Sequence, residues 1–148
     1  MSEEFDLSAI VATLAEGRQA ASPAREHMLA VMQKYIDNLN DPDPAFFSDN
    51  FSENYRYEDP VGAGVLCSAA MAERFDPRFF TIKSGELISP ISMSMGNSAA
   101  MAFRVFADVD GRNISIDIVD VMTFDAAGKI ADVKAYWGVE NITLIDQR

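Results

Sequence analysis

The sequence predicts an α+β fold in which helices pack against one face of a curved antiparallel or mixed sheet. Apolar residues recur at helical spacing in the first part of the chain, for example at Met28, Val31 and Met32. Later segments alternate apolar and polar residues, as strands with one buried face do. Turn signals such as Asp110-Gly111 separate these segments. Helices followed by hairpin-linked strands therefore predict a cone-shaped α+β barrel with a pocket inside.

The composition limits the partners and the chemistry of the chain. With 148 residues, of which 49% are hydrophobic, one domain with a substantial core is expected. The net charge of −11 argues against nucleic acid or an anionic membrane as the main partner, since both need a basic surface. Cys67 is the only cysteine, which argues against an intrachain disulfide and a cysteine zinc cluster. The acidic amino terminus is unlike a signal peptide, and no apolar run could span a bilayer, so a cytoplasmic protein is expected.

Residues 1–22 are predicted to be an extension that precedes the main domain at 23–148. The apolar residues of this extension have helical spacing, namely Leu7, Ile10, Val11 and Leu14. One alternative is a short amphipathic helix that covers a pocket or contacts a partner subunit. The other alternative is a frayed arm.

A longer helix is predicted to begin at Ser22-Pro23, with serine as the N-cap and proline at the first helical position. Its apolar stripe consists of Met28, Val31, Met32, Tyr35, Ile36 and Leu39. A buried tyrosine needs a partner for its hydroxyl, so Tyr35 is either a core residue bonded to a backbone carbonyl or a functional group. His27 is the only histidine, which argues against a histidine metal site and a catalytic triad.

The segment from Asn54 to Asp59 is predicted to be a strand that ends before Pro60. Its alternation places Tyr55, Tyr57 and Asp59 on one face. Asp59 thus lies at a strand end beside a loop, where catalytic groups are common. A short helix starting at Asp43-Pro44 is predicted before this strand and another over 68–75 after it; the first carries Phe46, Phe47 and Phe51.

Four further strands are predicted at 86–95, 99–107, 114–124 and 130–137. The first contains Pro90 and should therefore be an edge or bulged strand. We expect a mostly apolar pocket between these strands and the helices. Its predicted lining residues are Tyr57, Met101, Phe103, Val133 and Trp137, with Tyr35 and Asp120 at its deep end.

Asp120 is the anomaly in the strand at 114–124. Strand parity places it in an apolar row with Ile116, Ile118 and Met122. An ionised, unpaired carboxylate would be costly to bury, so Asp120 should either find a partner or stay protonated. A sheet edge, a bulge or a neighbouring Lys or Arg would explain it structurally, whereas a neutral carboxylic acid could donate a hydrogen bond to a substrate. Asp117 lies on the opposite face and is expected to be solvated.

An ordered set of motifs resembles the bacterial Δ5-3-ketosteroid isomerases. The motifs are Glu26-His27-Met28 followed by Tyr35, then Tyr57-Glu58-Asp59-Pro60-Val61-Gly62, Asp117-Ile118-Val119-Asp120-Val121-Met122-Thr123-Phe124-Asp125, Gly128-Lys129-Ile130 and Ala135-Tyr136-Trp137. No single motif is specific, but their order is, and the resemblance covers roughly residues 24–145. It implies the cone fold of the nuclear transport factor 2-like and SnoaL-like superfamily, and a homodimer.

The resemblance also implies roles for individual residues. Asp59 matches the general base, while Tyr35 and Asp120 match the two donors of the oxyanion hole. Met101, Phe103 and Trp137 match apolar residues of the steroid pocket. The implied reaction moves a C=C bond of a small apolar ketone into conjugation, from a Δ5 to a Δ4 3-ketosteroid, and needs no metal or other cofactor. A protonated Asp120 beside an ionised Asp59 would follow a pattern for which ketosteroid isomerases are themselves the documented example.

The sequence departs from the family pattern in two places, which affect the pocket and leave Tyr35, Asp59 and Asp120 in place. Auxiliary tyrosines that bond to the catalytic tyrosine in some members correspond to phenylalanines here, near Phe51 and Phe75. The loop from Pro60 to Cys67 is about one residue shorter than in the family. The extension at 1–22 has no counterpart in the resemblance.

Three alternatives to the isomerase are kept. A SnoaL-like polyketide cyclase or dehydratase could use Asp59 as a base on another activated carbonyl compound. An epoxide hydrolase would need an Asp-Arg-Asp set, but the nearest arginine, Arg104, is predicted on the face opposite Phe103 and Val105. A non-catalytic binding module would keep the cone without the chemistry, because one fold can host many functions.

Overall fold

The computed structural model describes residues 7–15, 23–67 and 80–145. Three α-helices lie within these ranges: α1 (Leu7–Ala15), α2 (Arg25–Asn40) and α3 (Phe46–Asn50). The strands in the same ranges are β1 (Phe51–Glu58), β2 (Val65–Cys67), β3 (Phe80–Leu87), β4 (Ser92–Met93), β5 (Ser98–Val109), β6 (Arg112–Phe124), β7 (Ile130–Tyr136) and β8 (Ile142–Leu144). A 3₁₀ turn over Val139–Asn141 precedes β8.

The strands form one curved, open, mixed sheet. Its order is β2-β1-β7-β6-β5-β3, with β4 also paired to β5 and β8 also paired to β6. The pairing of β1 with β7 is parallel, and the other pairings in the described sheet are antiparallel. This arrangement confirms the predicted α+β cone, with helices packed on a curved mixed sheet.

The long β5–β6 hairpin is the centre of the sheet. Its turn is Asp110-Gly111, as predicted, and both residues have the positive φ angles, 51° and 80°, that a tight hairpin turn requires. The register pairs Met101 with Asp120 and Phe103 with Ile118. The inner face, meaning the face that carries Met101, Phe103 and Met122, packs against α2 and forms the buried core. Asp120 is therefore placed on a buried face of a central strand.

Asn40, the last residue of α2, forms hydrogen bonds with the backbone of β3. The Asn40 amide donates to the Gly85 carbonyl at 2.9 Å and accepts from the Gly85 N–H at 3.0 Å. Gly85 allows this close approach, since a Cβ there would lie 2.6 Å from Leu39 Cδ1. The two backbone groups of an edge strand thus find partners on the helix, which fixes α2 across the inner face.

Asn40→Ala is expected to lower the free energy of unfolding by about 1–2 kcal/mol, because two backbone groups of Gly85 lose their partners. Urea denaturation followed by far-ultraviolet circular dichroism measures the change. Gln33→Ala is the matched control on the same helix, since its exposed amide bonds to Asp37 one turn away and to no other described residue, and a change of about 0.5 kcal/mol or less is expected. Equal losses in the two variants would contradict the role given to Asn40.

Several predicted boundaries are corrected by the structure. The helix expected at Ser22-Pro23 begins at Arg25, because Ala24 is still extended with ψ 139°. Phe51 is the first residue of β1 rather than part of the short helix. The strand expected at 86–95 is instead split between β3, which ends at Leu87, and β4, with Pro90 in the segment that separates them. The strand expected at 130–137 ends at Tyr136, and β8 was not predicted.

The predicted helix in the extension is present as α1, and its apolar side chains are all exposed: Leu7, Ile10, Val11 and Leu14. The extension's role stays a prediction. The helix predicted over 68–75, and with it Phe75, lies outside the described residues, as does Ser22. Across the helices that are described, no segment combines the length and apolar character needed to cross a membrane.

Candidate active site

Asp59 lies where β1 leaves the sheet. The parallel register holds Tyr57 beside Val133 of β7, and two residues after Asp59 the Val61 N–H donates to the Ala135 carbonyl at 2.8 Å. The chain therefore turns around Asp59, and the Asp59–Pro60 peptide is cis. The indole Nε1–H of Trp137 donates to Asp59 Oδ1 at 2.6 Å. Such a bond favours the charged form of a carboxyl group and fixes its orientation.

Tyr35 and Tyr57 meet through their hydroxyl groups. Tyr35 is on α2 and Tyr57 is on β1, and their two Oη atoms are hydrogen bonded. The Tyr35 ring packs edge-on against Phe46 and Phe103, with centroid distances of 6.0 and 6.2 Å. The Tyr57 ring is nearly parallel to that of Phe51. The partner of the Tyr35 hydroxyl is thus another phenol, not a backbone carbonyl.

Asp120 is 1% exposed, and neither carboxyl oxygen has a hydrogen-bond partner among the described residues. Its neighbours across the sheet are Met101 on β5 and Ala135 on β7, which are both apolar and buried. The sheet-edge explanation is therefore wrong, because β6 is paired on both sides. No described Lys or Arg bonds to Asp120 either. A buried acid without a partner is unusual and needs an explanation such as a ligand.

These four polar groups are close enough to affect one another's pKa values, and we refer to them as one cluster. Burial raises the pKa of Asp120 well above its ordinary value, and the charge of Asp59 raises it further. Burial likewise raises the pKa values of Tyr35 and Tyr57, and the negative charges that the Asp120 and Asp59 carboxyl groups carry when ionised add to both shifts. A carboxyl group and two phenols whose pKa values are all raised thus lie within electrostatic reach of a second carboxyl group, Asp59.

The predicted wall residues are neighbours of this cluster in the sheet and the core. Met101 and Phe103 are neighbours of Asp120 and Ile118 in the β5–β6 register, and Val133 is the neighbour of Tyr57. All three belong to the same buried core as Tyr57. Trp137 is partly buried and lies next to Asp59, just beyond the end of β7. The inner-face positions predicted by parity are therefore adjacent in the fold.

Arg104 is directed away from this cluster. Its guanidinium forms two hydrogen bonds with Asp117, at 2.7 and 3.1 Å, across the β5–β6 pair. Arg104 lowers the pKa of Asp117 mainly through these bonds. Asp117 is thus an ion-pair partner on the outer face rather than simply solvated, and Arg104 does not complete an Asp-Arg-Asp set with Asp59 and Asp120. Within the described ranges, no three His, Cys, Asp or Glu side chains are grouped closely enough to hold a metal ion.

Two polar contacts of the site are not predicted by the sequence. Trp137 was expected only as an apolar wall, yet its indole N–H bonds to Asp59. Tyr57 was also expected as a wall, yet its hydroxyl bonds to Tyr35. Buried Tyr hydroxyls and Trp N–H groups usually have hydrogen-bond partners, so the sequence indicates that both side chains need one. Which groups these partners are depends on how β1, β7 and α2 pack together.

Comparison with known proteins gives the family. A family model described as a SnoaL-like domain matches residues 32–133. The steroid Δ-isomerase of Nocardioides simplex is 32% identical over 109 residues, which is 73% of this chain and 87% of that enzyme. The chain belongs to the SnoaL-like domain family. Its similarity to this isomerase spans nearly the whole of the relative, so it is not limited to one motif.

A solved structure supports the SnoaL-like fold independently. SalBIII, an epoxide hydrolase/cyclase-like enzyme with a role in pyran ring formation in the polyether salinomycin, superposes with a TM-score of 0.69. It is 26% identical and covers 81% of this chain and 97% of its own. These two relatives of this SnoaL-like chain are both enzymes, but they are named for different reactions.

Proposed function

We propose that this protein is a ketosteroid isomerase-like enzyme that moves a C=C bond into conjugation with a ketone. The observation that carries the proposal is the unpartnered Asp120 carboxyl group, buried within electrostatic reach of Asp59 and Tyr35. A buried neutral acid beside a phenol supplies two hydrogen-bond donors, and a nearby ionised carboxylate supplies a base. The identity to a steroid Δ-isomerase supports the same reaction.

The proposed chemistry is an internal proton transfer. Asp59 removes a proton from the carbon between the ketone and the double bond, which gives a neutral Asp59 and a dienolate. Tyr35 and Asp120 donate hydrogen bonds to the dienolate oxygen while it carries the charge. Asp59 then returns the proton to the far end of the dienolate, so the carboxylate is restored and no atom is gained or lost. The bond from Trp137 keeps the Asp59 carboxylate oriented between the two carbons.

The substrate class follows from the surroundings of these groups. Tyr57, Met101, Phe103 and Val133 are buried and mostly apolar, and they adjoin the polar cluster together with Trp137. A small apolar ketone of steroid-like shape fits such a lining better than a charged metabolite does. A homodimer and a cytoplasmic location belong to the same proposal, since the resemblance implies the first and the composition favours the second.

An ultraviolet assay with a 5-ene-3-ketosteroid tests the proposal, because the conjugated enone product absorbs where the substrate does not. Enone formation that depends on protein concentration and is inhibited by a 4-ene-3-ketosteroid is expected. Tight binding of the 4-ene ketone without turnover of the 5-ene ketone would instead indicate a binding module. The absence of both would rule out the steroid as the substrate.

A cyclase or dehydratase is the second candidate, and the fold similarity to SalBIII favours it. Asp59 could then serve as a base on another activated carbonyl compound. The outward-facing Arg104 is evidence against the epoxide-opening version of this alternative, because Arg104 is already bound to Asp117 on the other face. Turnover of a polyketide-type ketone with no isomerisation of the steroid would favour the cyclase.

Trp137→Phe is expected to lower kcat/KM about tenfold on the acid side of the pH profile, since a bond to a charged carboxylate is lost. Without this bond the protonated, inactive form of the base persists to higher pH, so the acid limb moves to higher pH. Tyr136→Phe is the control, because Tyr136 is the adjacent aromatic residue and is exposed. Identical acid limbs in wild type and Trp137→Phe would contradict the role of the indole N–H.

A further inference from the structure

The inner face of the sheet continues as an apolar surface beyond the polar cluster. Residues of β6 and β5 that share this face with Asp120 pair with one another across the sheet, namely Ile118 with Phe103, Ile116 with Val105 and Ile114 with Ala107. Asp120 is the only polar side chain on this face between 99 and 109 of β5 and between 114 and 124 of β6. A ligand whose polar group contacts Asp120 therefore meets only apolar side chains along the rest of these two strands.

The packing around Asp120 leaves one direction open for such a ligand. Toward the end of β6, Met122 and Phe124 are 0% and 1% exposed, and the His27 ring of α2 packs edge-on against Phe124 with a centroid distance of 6.4 Å. Toward the start of β6, Ile118 is only partly buried. A ligand that contacts Asp120 is thus expected to extend toward the start of β6.

The proposed base lies on this same side of Asp120. Tyr136 of β7 pairs with Val119, and Trp137 follows Tyr136, so the chain places Trp137 beyond Val119 in the direction away from Asp120. The Trp137 indole N–H holds Asp59. A substrate with its ketone oxygen at Asp120 and its reacting carbons at Asp59 therefore also extends toward the start of β6.

The far end of this apolar face is exposed. Three side chains there pair with inner-face residues and are nevertheless 43%, 37% and 53% exposed: Ile82, Ile142 and Leu144, which we call the rim. Ile82 of β3 pairs with Ala107, and Leu144 of β8 pairs with Ile114, so the rim lies on both sides of the β5–β6 hairpin. Covering these side chains removes apolar surface from water, which favours an apolar group as the ligand of the rim.

The distance from Asp120 to the rim exceeds the length of a bare steroid nucleus. Asp120 and Ile114 are six positions apart in β6, which corresponds to about 20 Å at a strand rise of about 3.4 Å per residue. With carbon–carbon bonds of about 1.5 Å, the four fused rings of a 3-ketosteroid reach only about 10 Å from the ketone oxygen, and an eight-carbon side chain on the last ring adds about 8 Å. A ketone that reaches the rim therefore carries an extended tail.

We propose that the substrate is a ketone with a long apolar tail and that Ile82, Ile142 and Leu144 determine specificity by binding this tail. The inference rests on the proposed function for the position of the ketone at Asp120, and it names the substrate class of that site. A 3-ketosteroid that keeps a hydrocarbon side chain on its last ring is preferred over the bare ring system. The rim takes no part in the proton transfer.

A series of ketones that differ only in the side chain tests this inference. Androst-4-en-3-one, pregn-4-en-3-one and cholest-4-en-3-one carry no, two and eight side-chain carbons, and equilibrium dialysis gives their Kd values. The Kd should fall along the series, by tenfold or more in total, because each fully buried methylene contributes a factor of about four and the rim buries the tail in part. Equal Kd values for the three ketones would overturn the inference.

Substitution of the rim locates the tail. The triple variant Ile82→Thr, Ile142→Thr, Leu144→Thr keeps strand-forming residues and should lose most of the preference for cholest-4-en-3-one, with the Kd of androst-4-en-3-one unchanged. Val119→Thr is the matched control, since Val119 is as exposed as Ile82 but lies on the outer face, and it should keep the preference. An undiminished preference in the triple variant would overturn the inference. Leu144→Thr, at the most exposed rim residue, replaces the triple variant if circular dichroism shows that the latter is unfolded.

The remaining outcomes separate this inference from the proposed function. A preference for cholest-4-en-3-one that depends on the rim, without turnover of any 5-ene ketone, would end the isomerase proposal and keep the tail site. Turnover of androst-5-en-3-one with equal Kd values for short and long ketones would leave the isomerase and overturn the tail site. A second copy of this chain is the rival occupant of the rim. A changed size-exclusion volume of the rim variant with an unchanged tail preference would identify an interface between copies and overturn the inference.

Discussion

Asp59→Asn is expected to lower kcat by about 10³-fold, since asparagine cannot take up and return a proton and general-base catalysis contributes about 10²–10⁴. Binding of a 4-ene-3-ketosteroid should change little. The asparagine side chain has the size of the aspartate, and its oxygen can still accept the bond from the Trp137 indole. Enone absorbance gives the turnover, and titration calorimetry gives the Kd.

Asp117→Asn is the matched control for this substitution. It makes the same chemical change at a carboxylate that pairs with Arg104 on the outer face of the sheet. Asp117 has no role in the proposed mechanism. Turnover close to wild type is expected for it. Near-wild-type turnover in Asp59→Asn would remove Asp59 from the mechanism, and the second carboxyl group, Asp120, would have to be examined as the base.

Substitution of Asp120 should produce a different order of losses. Asp120→Ala and Asp120→Leu delete a hydrogen-bond donor and are expected to lower kcat by about 10²–10³-fold. Asp120→Asn keeps a donor of the same shape and should lose much less. At Asp59 the order is reversed, because asparagine there should be nearly as inactive as alanine. Steady-state turnover of the five variants distinguishes a donor from a base.

Infrared spectroscopy checks the protonation state of Asp120 directly. The difference between wild type and Asp120→Asn at neutral pH should contain the band of a protonated carboxyl group. A carboxylate band in its place would mean that Asp120 is ionised despite its burial. The oxyanion-hole role would then be lost, because an ionised carboxylate cannot donate.

The same protonation has a consequence for stability. The folded protein holds a proton on Asp120 at pH values where the unfolded chain has released it, because burial raises the folded pKa. The free energy of unfolding should therefore fall as the pH rises above about 3.9, the ordinary aspartate value, and continue to fall up to the folded pKa. Asp120→Asn removes this loss, so it should be more stable than wild type at neutral pH, and the stability difference should be smaller at acidic pH. Thermal unfolding as a function of pH measures both.

Much of the fold could be predicted because the inner strands have clear alternation. β5 and β6 are central and one face of each packs on the core, so a polar residue on that face stands out. This is why Asp120 was recognised from parity alone. β3 is an edge strand in which the consecutive residues Thr81, Ile82 and Lys83 are all exposed, so it shows no such alternation. The three-residue β8 is too short for any periodicity to appear.

The polar contacts of the candidate site could not be predicted in the same way. Strand parity places Tyr57 and Asp59 on the inner face but gives no information about which strand lies beside β1. The parallel pairing with β7 joins segments far apart in the sequence and brings Trp137 to Asp59. The position of α2 decides whether Tyr35 reaches Tyr57 or a backbone carbonyl. Both contacts depend on tertiary geometry that no local pattern encodes.

Trp137 is the only tryptophan of the chain, and its indole nitrogen is bonded to Asp59. The tryptophan fluorescence of the protein therefore comes from one fluorophore located beside the proposed base. Indole emission responds to nearby charge and to exclusion of water, so uptake of a proton by Asp59 or entry of an apolar ketone should alter its wavelength or intensity. Rapid-mixing fluorescence could then follow ligand arrival in the unlabelled wild-type protein, on a timescale that steady-state absorbance cannot reach.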